Sequence, residues 1–99
     1  MVISKKNTIN RIKQRIIPIL KNHEVKRAAL FGSCINGTMK KTSDVDILID
    51  INKKVSLLDF VGIKMELESA LKRKVDLVEY NTIKPILKKS ILNNQVRIL

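Results

Sequence analysis

Two stretches and the gap between them decide the fold: Val25-Lys26-Arg27-Ala28-Ala29-Leu30-Phe31-Gly32-Ser33 and Ser43-Asp44-Val45-Asp46-Ile47-Leu48-Ile49-Asp50-Ile51. Each contains an apolar run of strand length, Val25 to Phe31 and Val45 to Ile51. A Gly-Ser pair closes the first run and two carboxylates open the second. Ten residues, Cys34 to Ser43, separate Ser33 from Asp44, so the pattern reads G-S-x10-D-x-D. Side chains alternate across a strand. Asp44 and Asp46 therefore share one face, while Val45, Ile47 and Ile49 point to the other.

That spacing suits the handling of phosphate with a metal. Two carboxylates one strand repeat apart offer hard oxygen donors to a divalent cation such as Mg2+, which keeps part of its coordination for substrate phosphates. Gly32 lets the backbone approach a ligand closely, and Ser33 adds a hydroxyl beside N–H groups that can face anionic oxygens. The plainer alternative makes Gly32-Ser33 an ordinary turn and Asp44 and Asp46 a solvated strand edge.

A third carboxylate falls in a third strand. Lys74-Val75-Asp76-Leu77-Val78-Glu79-Tyr80 is rich in β-formers and alternates, setting Asp76 opposite in facing to Val75, Leu77 and Glu79. Paired in register beside the Asp44–Asp46 strand, Asp76 would bring a further oxygen ligand to the same place. Read alone, it is only the polar side of an amphipathic strand.

The remaining sequence supplies helices. Ile9, Ile12, Ile16 and Leu20 recur at helical spacing and predict a first helix from Ser4 to Asn22, bent or shortened by Pro18. The only histidine, His23, falls in the polar turn that follows and is expected to be solvated. Ser56 and Asp59 form a capping pair for a helix from Leu57 to Leu71, with an expected apolar face of Leu57, Phe60, Val61, Met65, Leu67 and Leu71. A last helix is expected from Thr82, with Pro85 in its first turn and Ile83, Ile86, Leu87, Ile91 and Leu92 on its apolar side. Val96 to Leu99 reads as an edge strand or a docking tail. The expected fold class is α/β or α+β: one small mixed sheet of three or four strands, helices on one face and carboxylates on the other.

These motifs resemble the minimal nucleotidyltransferases of the DNA polymerase β-like superfamily. The resemblance runs over almost the whole chain: helix, strand ending in Leu30-Phe31-Gly32-Ser33, short helix, Ser43-Asp44-Val45-Asp46-Ile47-Leu48-Ile49, helix, then Val75-Asp76-Leu77-Val78. It implies that Asp44 and Asp46 bind two Mg2+ ions, that Asp76 completes the catalytic triad, and that Gly32 and Ser33 hold ATP by its triphosphate. It further implies an antitoxin that adds AMP to a tyrosine of a HEPN-domain RNase toxin, within a hetero-oligomer. One departure stands out. Relatives commonly continue Gly-Ser with a small residue and Arg-Gly, whereas this chain has Cys34-Ile35-Asn36-Gly37. A neutral amide does not replace a guanidinium fork on phosphate, although Lys40 and Lys41 stand nearby in sequence as point charges.

Ninety-nine residues are read as a single domain, 1–99, with room for one core and no separate acceptor-binding domain. Acceptor choice is therefore expected to come from a partner protein. No apolar run approaches membrane-spanning length and no signal peptide is indicated. The lone Cys34 has no partner for an intrachain disulfide, which fits a cytoplasmic setting. The formal net charge of +11 is spread along the chain rather than massed in one tail. With Phe31, Phe60 and Tyr80 as its only aromatics, direct nucleic-acid binding is not expected; the charge fits an acidic partner or a nucleotide. Two further readings compete with protein adenylylation. One is a catalytically weak module that neutralises a toxin by occlusion, and the other is transfer to RNA ends.

Overall fold

The computed structural model describes residues 5–32, 44–51, 55–83 and 85–99, apart from the side chains of residues 5–8, Leu87, Ser90 and Leu92. Ser33, Cys34, Asn36, Lys40, Lys41 and the expected short helix after Gly-Ser lie outside the described residues. Within them the order is α1 (Lys5–Asn22), β1 (Val25–Phe31), β2 (Val45–Ile51), α2 (Leu57–Leu71), β3 (Val75–Glu79), a 3-10 turn (Tyr80–Thr82), α3 (Pro85–Asn93) and β4 (Gln95–Arg97).

The strands form one four-stranded sheet in the order β3-β2-β1-β4. β1 runs antiparallel to both β2 and β4, and β2 runs parallel to β3. A parallel pair needs a long crossover, and α2 supplies it. The mixed sheet matches the expected class, and the C-terminal tail takes the edge-strand option. Its pairing extends past β4, because the Ile98 and Leu99 N–H groups both donate to the Ala28 carbonyl at 2.9 and 3.2 Å.

The helix-facing side holds the main core. Ile12, Ile16 and Leu20 of α1 and Ile63, Leu67 and Leu71 of α2 pack on Ala28, Leu30, Val45, Ile47, Ile49, Val75 and Leu77. Each fully buried aliphatic side chain here contributes about 1.5–3 kcal/mol. Pro18 lies inside α1 and the helix continues past it to Asn22, so it is not shortened. His23 is not simply solvated. Its Nε2 meets the Glu66 carboxylate and ties the end of α1 to α2.

α2 opens as expected, with the Ser56 hydroxyl accepting from the Asp59 N–H at 3.1 Å. It closes at Lys72, which is left-handed at φ 55° and donates its N–H to Glu68. The face it buries departs from expectation: Ile63 joins Leu67 and Leu71, while Leu57 and Met65 stand 79% and 62% exposed. α3 begins at Pro85 rather than at Thr82, which instead ends the 3-10 turn Tyr80–Thr82. Proline at the first helical position loses no needed donor.

The opposite side of the sheet carries a second, smaller cluster. Ala29 and Leu48 are covered by Tyr80 and Ile83, with Phe31, Val78 and Ile91 packed around them. This face is therefore half apolar, and the carboxylates occupy one end of it.

Candidate active site

Register places the predicted carboxylates. Phe31 pairs with Asp46 across β1 and β2, and Asp46 pairs with Asp76 across β2 and β3. Adjacent strands lie about 4.8 Å apart, so Asp46 and Asp76 are immediate neighbours. Both point away from the main core, on the side of Leu48 and Val78. Asp44, one residue before β2 and two before Asp46, is exposed at the same end.

The three acids affect one another. The Asp46 carboxyl is held above its usual 3.8, first by burial, then by the Asp76 charge and then by Asp44. All three causes favour the neutral acid. A dication against Asp46 would reverse that preference, and an all-oxygen donor set suits a hard ion such as Mg2+. Among the described residues no three His, Cys, Asp or Glu side chains close into a ready metal cage. The carboxylates form an open strip.

Gly32 completes this end of the sheet. Its φ of +70° lies in the left-handed region, and a Cβ placed on it would come 2.0 Å from Oδ2 of Asp46. The close approach that the sequence suggested for a ligand is here made first to the Asp46 carboxylate. Glycine is required twice over, by conformation and by space.

Sequence reasoning missed the other polar groups on this face. Arg27 stays in the ladder's regular register opposite Asp50, and β1 bulges only beyond it, between Val25 and Arg27. The Arg27 Nε and Nη2 both donate to Asp50 Oδ2, at 3.1 and 3.0 Å. The guanidinium lies 4.9 Å from the centroid of the Tyr80 ring, within cation–π range. The Tyr80 hydroxyl donates to Gln95 Oε1 at 2.7 Å. Its pKa is pushed up, chiefly by burial, so it remains a donor at neutral pH. Arg73 has its Nη1 buried with no hydrogen-bond partner among the described residues. Two shallow concavities of 470 and 430 Å3 lie on the helices, lined by residues such as His23, Gly62 and Glu66 or Lys13 and Pro18. Neither is lined by a carboxylate of the strip.

Three carboxylates thus gather at one end of the sheet, with a left-handed glycine against Asp46. The family described as polymerase beta, nucleotidyltransferase matches residues 14–99. This chain belongs to it. A Methanocaldococcus jannaschii member, provisionally named a protein adenylyltransferase, is 52% identical over 92% of this chain and 98% of its own length. The protein adenylyltransferase MntA of Thermococcus cleftensis is 39% identical over 73% of each chain. A crystal structure of a toxin–antitoxin with AMP-PNP superposes with a TM-score of 0.78 at 25% identity, covering 88% of this chain and 72% of that one. As a family member, this nucleotidyltransferase keeps its acid residues at the starts of β2 and β3, where parallel strands bring them together. Among the described residues no helix is long and apolar enough to cross a membrane.

Proposed function

We propose that this nucleotidyltransferase is an Mg2+-dependent protein adenylyltransferase, the antitoxin of a pair, which moves AMP from ATP to a tyrosine of a HEPN-domain RNase toxin. The observation that carries the reading is the register pairing of Asp46 with Asp76, the nearness of both Asp76 and Asp44 to Asp46, and Gly32 set against Asp46. The family membership, the adenylyltransferase names of its relatives and the AMP-PNP-bound toxin–antitoxin neighbour support it.

In this reading Asp44 and Asp46 hold Mg2+, two ions in all, and Asp76 completes the set. Bound metal would neutralise charge on the α-phosphate and on the oxygens that attack and leave. The chain's own residues do the rest. Gly32 keeps the backbone clear of Asp46, Ser33 and neighbouring N–H groups hold the triphosphate, and Asp76 helps deprotonate the acceptor. A tyrosine hydroxyl, with an ordinary pKa near 10, needs such help. The acceptor comes from the partner protein, so the working form is a hetero-oligomer, in the cytoplasm.

The test is incubation of this chain with ATP labelled at the α-phosphate, Mg2+ and a HEPN-domain toxin. Label on a toxin tyrosine is the expected result. Toxin silenced without label would replace transfer by occlusion, and label on RNA would move the acceptor to nucleic acid.

A further inference from the structure

One row of side chains crosses the second face of the sheet at its carboxylate end, beside the cluster of Tyr80 and Ile83. Register aligns Asp76, Asp46, Phe31 and Gln95 on β3, β2, β1 and β4 in turn. Residues paired in register share a face, and the contacts agree: Phe31 packs in the cluster containing Tyr80, and Gln95 accepts a hydrogen bond from the Tyr80 hydroxyl. The row is acidic at one end, aromatic in the middle and an amide at the other. Its two ends differ in what they can hold. The acids suit metal and phosphate, whereas a half-buried phenyl ring beside an amide suits a flat heterocycle with acceptor atoms on its edge.

We propose that Phe31 and Gln95 form the seat for the base of the bound nucleotide. Gln95 lies two strands from Asp46, about 10 Å by ordinary strand spacing, a separation that a nucleoside bridges between its phosphate and the far edge of its base. Phe31 lies between them, where the base would rest on its ring. One ring serves one nucleotide and offers no track for a strand, which agrees with the scarcity of aromatics. The Tyr80 hydroxyl occupies Gln95 Oε1 and so fixes the amide, leaving the NH2 group as the donor to a ring nitrogen of the base. Tyr80 is in turn fixed by burial and by Arg27 above its ring. Tyr80 and Arg27 are thus positioning residues, and Gln95 is the one that reads the base. The inference rests on the proposed ATP site and deepens it.

Two probes separate base from phosphate: ATP and inorganic tripolyphosphate, each with Mg2+, titrated by calorimetry into the full chain. Gln95→Ala is expected to weaken ATP binding about fivefold, the equivalent of one neutral hydrogen bond, and to leave tripolyphosphate unchanged. Tyr80→Phe, which keeps the ring, should weaken ATP in the same direction by less, and the KM for ATP should rise with little change in kcat. Unchanged ATP affinity in Gln95→Ala overturns the proposal, as does an equal loss for both probes, which would mean that Gln95 acts only through the fold. If the wild-type chain binds ATP with this pattern but labels no toxin, the base seat stands and the adenylyltransferase reading falls. If it binds no ATP, both fall.

Discussion

Gly32 lies so close to Asp46 that no side chain fits between them: a Cβ at position 32 would stand 2.0 Å from the Asp46 Oδ2. Gly32→Ala forces either the carboxylate or the turn to move, and it also places a side chain on a left-handed backbone, at about 1–2 kcal/mol. The expected outcome is a lower urea midpoint together with loss of nucleotide transfer. Full transfer by a destabilised Gly32→Ala would show that the carboxylate can move without consequence.

The raised pKa of Asp46 gives a pH dependence with a definite sign. Because its folded pKa lies above the unfolded 3.8, the folded protein binds the extra proton. The stabilisation is complete below the unfolded value and is lost as pH rises through the folded one. In EDTA, wild-type stability relative to Asp46→Asn should therefore fall as pH rises from about 4. Mg2+ at neutral pH should raise the wild-type Tm and leave that of Asp46→Asn nearly unchanged. Asp44→Asn and Asp46→Asn should each abolish transfer while the fold persists, since neither side chain is in the main core. A parallel pH profile for wild type and variant would remove the clustering argument.

Helix α2 shows where sequence reading stopped. Its start was legible because Ser56 sits three residues before the Asp59 N–H it caps, and G-S-x10-D-x-D was legible because alternation alone sets the facing of Asp44 and Asp46. The buried face of α2 was not. Leu57, Leu58, Phe60, Val61, Ile63, Met65, Leu67 and Leu71 surround the helix almost completely, so periodicity cannot select one side. The sheet selects Ile63, Leu67 and Leu71. Likewise nothing local says that Gln95 pairs with Phe31, or Arg27 with Asp50; those contacts are long-range. Leu67→Ala should cost about 2–5 kcal/mol in denaturant unfolding, and Leu58→Lys, at an 84% exposed position, should stay within about 0.5 kcal/mol.

Arg73 holds a buried guanidinium nitrogen without a partner among the described residues, a group whose desolvation costs about 1–3 kcal/mol when unmet. Arg73→Met keeps much of the apolar stem and removes the donor. The expected result is equal or higher stability by thermal unfolding. A clear loss of stability would mean that Arg73 is satisfied in solution by a group that meets it there.

The departure at Asn36 can be tested directly, although the residue lies outside the described structure. If the arginine that relatives commonly carry at this place grips phosphate, its permanently charged planar fork forms paired, charge-assisted hydrogen bonds that an amide cannot. Asn36→Arg should therefore lower the KM for ATP or raise the transfer rate, because charge developing on the phosphates would meet a preorganised cation. If the position instead contacts the toxin, turnover stays level and the stability of the complex changes. Transfer rate and toxin affinity, measured together on Asn36→Arg, separate the two. An ATP dependence identical to wild type would mean that the phosphate grip in this chain is complete without the arginine.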